Sequence, residues 1–442
     1  MTQAFARFLA AARFEDLPSA VRDEAARSLL NWMGVAVGGS RHEAVEIALA
    51  AVSPFAGSPQ ATVFGRSERL DIMNAPLLNG ISSHVFDFDD TDLTTAVHPS
   101  APVVPVLLAL AEYRPVSGKD LINALVLGIE AECRIARVVS PGMQEIGWHA
   151  TGTAGVFGAA VAAAKILGLD ETRMSHAIGL AATQPVGIRE MFGGMTKSFH
   201  PGRAAQNGLM AALLAEKGYT SSLDGIEAKR GWANVISTVQ NFDALTGNLG
   251  TRYEISRNSY KPFACGLVVH PVIDGCIQLQ NENKLTVDMI ERIDLVIHPI
   301  VMELTSNRKP KNGLEGKFSV YYAAAIGIVA GRAGEAQFSN AQVTDPVVTG
   351  LRDRVETTVD PSLRQDQARV TIKLKDSRIL ERFVTHAVGS VDNPMTNARL
   401  DAKFLELSKG ILPDDRARHL MELCRTAERL ADTGDIARAA AG

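Results

Sequence analysis

The feature that most constrains the fold of this chain is a helical periodicity that runs almost unbroken through its first 265 residues. Between Val21 and Trp32, apolar residues recur at the spacing of one helix face, and Gly38-Gly39 then ends the run. The alternation that is typical of β-strands is nearly absent here. We therefore predict an all-helical domain over residues 1–265, with further helices at residues 77–88, 101–113, 121–138 and 150–167.

The pattern changes near residue 266. Short strands are predicted at residues 293–298, 368–374 and 379–384, with a turn at Asp376-Ser377 and a helix at residues 319–333. From residue 397 the chain becomes helical again. The predicted fold is mainly α with an α+β part. A large all-helical domain (1–265, completed by 397–442) carries a smaller α/β lid domain (266–396), which is inserted before the C-terminal helix.

Composition excludes several classes of protein. Hydrophobic residues make up 46% of the chain and the net charge is −4, so the basic excess of a nucleic-acid binder is missing. The four cysteines are scattered without a C-x-x-C pair, which argues against a disulfide scaffold, a zinc site and an iron–sulfur site. No signal-peptide pattern opens the chain, and the most apolar stretch, 151–169, indicates a buried helix rather than a membrane span. We expect a cytoplasmic protein.

No familiar nucleotide, metal or hydrolase motif is present. Residues 193–198 are similar to a phosphate-binding loop, but Thr196 stands where that motif needs a glycine before Lys197. The motifs G-x-G-x-x-G after a strand, G-x-S-x-G and H-E-x-x-H are all missing. The sequence thus predicts neither a metal nor a cofactor.

Four basic side chains are instead predicted to lie near the N-termini of helices: His98, His149, Lys197 and Lys261. A helix N-terminus carries partial positive charge, so a cation there is unfavourable unless an anion lies between the two. Backbone N–H groups and basic side chains together form a receptor for carboxylates. A small di- or tricarboxylate is therefore the expected ligand.

Two pairs of residues that contain aspartate stand close to this pattern. Asp87 and Thr91 are four residues apart and are predicted to share one face of a helix end, where Asp87 would orient an imidazole. Asp89 and Asp90 are then expected to point into solvent at the end of that helix.

The same residue types also have simpler explanations. Histidines such as His84 and His200 are more often structural hydrogen-bonding groups than catalysts. A lysine is normally solvated, although Lys197 and Lys261 stand in loops rich in Gly, Pro and aromatic residues. Packing alone explains Tyr322, on an apolar helix, as well as a catalytic role does.

Several segments together make the chain resemble the MmgE/PrpD family. The most specific is the stretch from His84 to Thr91, followed by His98-Pro99-Ser100. Supporting segments lie at residues 147–152, 197–202, 261–262, 318–322 and 345–346, so the resemblance spans nearly the whole chain.

The resemblance implies a helical domain and an α/β lid with the active site in the cleft between them, in a homodimer. Known members include 2-methylcitrate dehydratase, cis-aconitate decarboxylase and iminodisuccinate epimerase, which all form or quench a carbanion beside a carboxylate without a metal. Carried over by position, the catalytic residues are His98, His149, Lys197 and Tyr322, and the substrate-binding residues are Asp87, Thr91 and Lys261.

Departures from the family pattern favour its epimerase branch. Asn31 replaces an expected aspartate, the spacing from Thr91 to His98 is one residue longer than in the decarboxylase pattern, and the chain is shorter than typical methylcitrate dehydratases. The leading hypothesis is a cofactor-independent epimerase that inverts the carbon next to a carboxylate of an iminodisuccinate-like substrate. His149 would be one acid–base partner, with Lys197 or Tyr322 as the other. The alternatives are a hydro-lyase of the 2-methylcitrate dehydratase type, a cis-aconitate-like decarboxylase and a non-enzymatic anion-binding scaffold.

Overall fold

The computed structural model describes all 442 residues, which form two compact units. The first unit comprises Met1–Val85, Asp89–Asn258 and Thr396–Gly442, and the second comprises Phe86–Phe88 and Ser259–Met395. Asp87 and Lys261 therefore belong to the second unit, whereas the boundary predicted at residue 265 assigns both to the first.

The first unit is built almost entirely from α-helices. In chain order they are α1 (Thr2–Ala11), α2 (Ser19–Gly39), α3 (Glu43–Val52), α4 (Asn74–His84), α5 (Ser100–Tyr113), α6 (Gly118–Val139), α7 (Gly142–Ile146), α8 (Ala150–Ile166), α9 (Glu171–Ala181), α10 (Thr196–Glu216), α11 (Trp232–Ile236) and α12 (Asp243–Thr246). Two-residue strands β1 (Ala61–Thr62), β2 (Arg69–Leu70) and β3 (Thr91–Asp92) interrupt them, and β4 (Asn258–Ser259) lies where the chain leaves this unit. The helices expected at residues 101–113, 121–138 and 150–167 are confirmed.

Helix α8 forms the centre of this unit. Its residues from Ala150 to Ala164 are all buried, and it packs against α5, α6, α9 and α10. Small side chains permit close approach: a Cβ on Gly208 of α10 would lie 2.6 Å from the carbonyl oxygen of Val156. The prediction of a buried helix here is confirmed, and none of the helices combines the length and apolar character needed to cross a membrane.

Helices α4 and α10 cross at two glycines. A Cβ on Gly80 would lie 2.5 Å from the Cα of Gly202, and a Cβ on Gly202 would lie 2.3 Å from the carbonyl oxygen of Leu77. Only glycine fits at such a crossing. The contact fixes the last turn of α4, which ends at His84, relative to the first turns of α10.

The second unit combines a four-stranded sheet with six helices. The helices are α13 (His270–Asn283), α14 (Pro299–Thr305), α15 (Gly313–Gly316), α16 (Val320–Ala330), α17 (Asn340–Val343) and α18 (Pro346–Arg352), and the strands are β5 (Ile290–Ile297), β6 (Val355–Val359), β7 (Ala368–Leu374) and β8 (Ile379–Val384). The order is β6-β5-β7-β8, with β5 parallel to β6 and the other neighbours antiparallel. The three predicted strands are present. Strand β6 is missing from the prediction because its Val-Glu-Thr-Thr-Val sequence is mostly exposed and shows little apolar alternation.

One face of the sheet is buried. Along β7, Ala368, Val370, Ile372 and Leu374 are buried, whereas the residues between them are exposed or half-buried. Helix α13 covers this face, and its Gly275 lies directly on Val370. The chain then ends in α19 (Asn397–Ser408), α20 (Asp414–Arg425) and α21 (Gly434–Ala439), which belong to the first unit. The predicted class, mainly α with an α+β part, is confirmed.

Candidate active site

Four buried histidines of the first unit form a row. The ring centroids of His98 and His84 are 4.6 Å apart, those of His84 and His149 are 5.9 Å apart, and those of His149 and His200 are 5.1 Å apart. These four residues, which we call the histidine row, are each at most 7% exposed. The row exists because the end of α4 meets the starts of α5, α8 and α10, since His84 closes α4 and His149 is the N-cap of α8.

Asp89 lies between the first two rings of the row. Its Oδ2 is 2.7 Å from Nδ1 of His84, and its Oδ1 is 3.1 Å from Nδ1 of His98. The hydroxyl of Thr91 is 3.3 Å from the same nitrogen of His98. Burial by itself raises the pKa of Asp89, but the charges of the two histidines and the hydrogen bond with His84 outweigh it and hold the pKa well below its ordinary value. Asp89 is therefore a buried carboxylate.

The other two rings bond to each other. Nδ1 of His149 lies 2.9 Å from Nδ1 of His200, so one of these nitrogens carries the shared proton. The edge of His149 meets Phe192 at a centroid distance of 5.0 Å. His200 packs on Gly187, where a Cβ would lie 2.7 Å from the ring and where φ is +95°. Only glycine suits this position, so the turn at Gly187 makes room for the ring.

Lys197 places a positive charge beside the row. It lies in the first turn of α10, and its Nζ is 5.4 Å from the centroid of Phe192. Burial, with this charge nearby, lowers the pKa of His84 and of His200 to about 4 and holds the pKa of His149 well below its ordinary value. These three imidazoles are neutral at pH 7 and can accept protons. An anion beside them would favour their charged forms.

A separate ion pair occupies the second unit. Nζ of Lys261 donates to the carboxylate of Asp87 at 2.8 Å and to the carbonyl oxygen of Asp87 at 2.9 Å, and both side chains are buried. Asp87 has φ +51°, a left-handed conformation that is uncommon outside glycine. Residues held in such a conformation cluster at functional sites, which supports a role for this pair.

Tyr322 is also buried in the second unit. Its hydroxyl donates to the carbonyl oxygen of Gln337, and its ring meets that of Phe338 at 5.7 Å. Burial raises the pKa of Tyr322 above its ordinary value. In this arrangement the phenolic proton is engaged by a backbone acceptor.

The structure thus places six of the seven predicted site residues in two groups, and the seventh, Tyr322, contacts Gln337 and Phe338 in the second unit. His98, His149, Lys197 and Thr91 come together in the first unit, and Asp87 pairs with Lys261 in the second.

The expectation for the acidic residues is wrong. Helix α4 ends at His84, so Asp87 and Thr91 do not share a helix face, and Thr91 lies in β3. Asp89 and Asp90 are fully buried rather than solvated. The reason is that the chain turns back at Asp87 and carries both carboxylates inward, which a helical extrapolation past His84 does not anticipate.

Two expectations about helix starts are also wrong. Helix α10 begins at Thr196, so Lys197 is inside its first turn and not in a preceding loop. Helix α13 begins only at His270, nine residues after Lys261, so that lysine does not stand at a helix N-terminus. Its partner is Asp87 instead.

Three residues of the cluster are missing from the prediction: His84, Asp89 and His200. From the sequence, His84 and His200 are expected to be structural hydrogen-bonding groups and Asp89 is expected to be solvated. A signal was present, because His84 and Asp89 lie in the most specific family segment and His200 follows Lys197 on the same helix. Single residues carry no indication of which distant ring they will face.

One group of side chains has the composition of a metal site. His84, Asp89 and His98 offer ligand atoms that all lie within 4.8 Å of one another, a set of two histidines and one carboxylate. The sequence shows no such cluster, because its members are spread over fifteen positions. Both Nδ1 atoms lie close to the carboxylate, so the hydrogen bond with His84 and the electrostatic contact with His98 already account for the grouping. Metal independence stays a prediction.

Comparison with known proteins places the whole chain among relatives. The model of the MmgE/PrpD N-terminal domain matches residues 3–245, and that of the MmgE/PrpD C-terminal domain matches residues 263–428. The chain is 26% identical over 450 residues to a cis-aconitate decarboxylase of Aspergillus terreus, covering 95% of this chain and 91% of that protein. It is 27% identical over 451 residues to the cis-aconitate decarboxylase of Homo sapiens, covering 98% and 92%. For the Mus musculus enzyme of the same name the identity is 26% over 457 residues, covering 99% and 93%.

Proposed function

Because this chain belongs to the MmgE/PrpD family, we propose that it is a lyase of small polycarboxylates, with decarboxylation of a cis-aconitate-like tricarboxylate as its reaction. The relatives described above are named for that reaction. They favour an alternative of the sequence analysis over its leading hypothesis, since no relative named above is an epimerase.

The observation that carries this proposal is the histidine row with Lys197. Three neutral imidazoles can accept or pass protons near pH 7, and the ammonium of Lys197 attracts carboxylates. Burial strengthens each charge interaction because water is excluded. Such a site suits the transfer of a proton to a carbanion beside a carboxylate.

The proposed reaction breaks one carbon–carbon bond. In cis-aconitate, a methylene group bearing a carboxylate is attached to one carbon of the double bond, and the other alkene carbon bears a second carboxylate. When CO2 leaves the methylene carbon, the released electron pair forms a new double bond. The electron pair of the former double bond then moves to the alkene carbon that bears the second carboxylate, and an acid of the protein adds a proton to this carbon. The products are CO2 and a five-carbon unsaturated dicarboxylate.

We assign the proton donor to His149, once a bound anion has raised its proton affinity. Lys197 and His98 would bind carboxylates and stabilise the charge of the intermediate. Thr91 remains a proposed substrate-binding residue, as do Asp87 and Lys261. Tyr322 remains a proposed proton donor, although its hydroxyl must first leave the Gln337 carbonyl.

The test is turnover in deuterated water, followed by proton and carbon NMR with cis-aconitate, 2-methylcitrate and iminodisuccinate as separate substrates. Release of CO2, with one deuterium added to the former alkene carbon that bears the second carboxylate, supports the decarboxylase. Loss of water from 2-methylcitrate without loss of CO2 would replace it with the hydro-lyase. Deuterium incorporation with inverted configuration would restore the epimerase. Binding without exchange would favour the non-enzymatic scaffold.

Three further parts of the proposal are metal independence, a homodimer and a cytoplasmic location. Activity should survive prolonged treatment with a chelator, because the groups assigned above need no metal. A homodimer should sediment at about twice the 47.3 kDa of one chain. Exposed apolar side chains at Ile188, Met195 and Phe199 support a dimer, since such surfaces are often covered by a partner. Cytoplasmic location is supported by four unpaired, buried cysteines.

A further inference from the structure

We propose that Asp89 is a positioning residue that fixes the protons of two histidines. It holds His84 and His98 with a proton on Nδ1, and in His84 this leaves Nε2 as the nitrogen that faces a ligand. Its effect on catalysis rests on the function proposed above, whereas the proton positions do not.

The contact with His84 fixes the first proton. Nδ1 of His84 is 2.7 Å from Oδ2 of Asp89, and both side chains are completely buried. A carboxylate only accepts hydrogen bonds, so the ring nitrogen that faces it must donate. The remaining nitrogen, Nε2 of His84, is buried and has no hydrogen-bond partner in the protein.

The contact with His98 fixes the second proton by electrostatics rather than by an aligned hydrogen bond. Nδ1 of His98 lies 3.1 Å from Oδ1 of Asp89, although the contact is not aligned as a hydrogen bond. A lone pair on Nδ1 would lie close to the negative oxygen, which is unfavourable at this distance. The Thr91 hydroxyl, 3.3 Å from the same nitrogen, can accept as well as donate and therefore adapts to either state.

The free nitrogen of His84 points to a ligand. A buried polar atom without a partner costs about 1–3 kcal/mol, and native proteins keep few of them. His84 stacks on His149, the proposed proton donor, at a centroid distance of 5.9 Å. Asp89 thereby leaves Nε2 of His84 unprotonated, so that this nitrogen can accept a proton when an anionic ligand binds beside the row.

The neighbouring Asp90 is a matched control. It is equally buried and has the same charge, yet its Oδ2 accepts hydrogen bonds from Ser28, Ser100 and Asn258 and from no histidine. Replacement of either aspartate by asparagine removes one buried charge and changes the shape little. Only Asp89→Asn should alter the histidines.

The experiment is nitrogen NMR of full-length protein labelled with nitrogen-15 in its histidines, with signals assigned through His84→Gln and His98→Gln. In the wild type and in the control variant Asp90→Asn, the rings of His84 and His98 should both show the Nδ1–H form. In Asp89→Asn at least one ring should change to the Nε2–H form, because an amide has one acceptor and one donor side. Unchanged ring signals in Asp89→Asn would overturn the proposal, as would an Nε2–H form in the wild type.

Thr91→Val provides a second variant if Asp89→Asn does not fold. It removes the competing hydroxyl, and His98 should keep its Nδ1 proton. A change of His98 to the Nε2–H form would show that Thr91, and not Asp89, fixes the proton of this ring, and it would overturn the role of Asp89 there.

Turnover adds a readout that a purely structural role would not affect. Asp89→Asn should lower kcat by roughly 100- to 10,000-fold with a much smaller change in KM, the size of effect seen when a catalytic histidine loses its orienting carboxylate. Asp89→Glu, which restores the carboxylate, should recover part of the rate, and Asp90→Asn should stay near the wild type. A kcat loss shared equally by both asparagine variants would contradict positioning. Without a turned-over substrate, the NMR result still decides the proton positions.

Discussion

Binding of a tricarboxylate should draw a proton into the protein. The pKa of His84 in the free protein is about 4, mainly because of burial, so at pH 7.5 this ring is neutral. Protonating it there costs about 5 kcal/mol, since one pKa unit corresponds to about 1.4 kcal/mol. A carboxylate about 4 Å from an imidazolium contributes roughly 4 kcal/mol at an effective dielectric constant of 20. Two substrate carboxylates near the row therefore suffice to offset the cost.

His84 is the ring expected to take up the proton, because Asp89 already faces it with a negative charge. We expect about one proton bound per ligand near pH 7.5. The dissociation constant should then rise about tenfold per pH unit above the pKa that His84 has in the complex.

The assay is isothermal titration calorimetry with propane-1,2,3-tricarboxylate, an unreactive analogue without the double bond. Titrations at pH 7.5 to 8.5, in buffers of low and high ionisation enthalpy, report proton uptake as the slope of observed enthalpy against buffer enthalpy. At this pH the carboxyl groups of the ligand are already ionised and contribute nothing. The slope should fall for His84→Gln and stay unchanged for His419→Gln, whose side chain is exposed on α20. A wild-type slope of zero, with affinity independent of pH, would refute the reasoning.

Three further predictions concern single residues. His149→Gln should fold normally, as judged by circular dichroism, but lower kcat at least ~100-fold, the usual contribution of acid–base catalysis, and a near-normal rate would remove His149 from the mechanism. Lys261→Met should destabilise the protein by roughly 3–5 kcal/mol in urea unfolding because it removes the ammonium that contacts the buried carboxylate of Asp87, and adding Asp87→Asn should recover part of that loss. Simple additivity of the two changes would contradict the pairing. Burial raises the pKa of Asp90 to about 6, so the folded protein disfavours the ionised form of this carboxyl group. The stability that the group contributes is therefore present below pH ~4 and is lost as pH rises through 6. Relative to the wild type, Asp90→Asn should therefore gain up to about 3 kcal/mol between pH 4 and pH 8, and a difference that is constant with pH in chemical denaturation would argue against it.

The sequence by itself indicated the helical character of the first 265 residues and three of the four sheet strands. These are local properties: periodic apolar residues and turn signals specify an element without reference to distant parts of the chain. The sequence also grouped His98, His149 and Lys197 through the family segments that contain them, and the structure brings these three side chains together.

Tertiary structure alone decided how these groups are arranged. The helix end at His84 and the left-handed turn at Asp87 carry Asp89 inward, which makes it the partner of two histidines. The crossing of α4 and α10 at Gly80 and Gly202 brings the end of one helix to the start of the other. Proton positions and pKa values depend on burial and on charges a few ångströms away, and such distances between residues remote in the chain are set only when the helices pack.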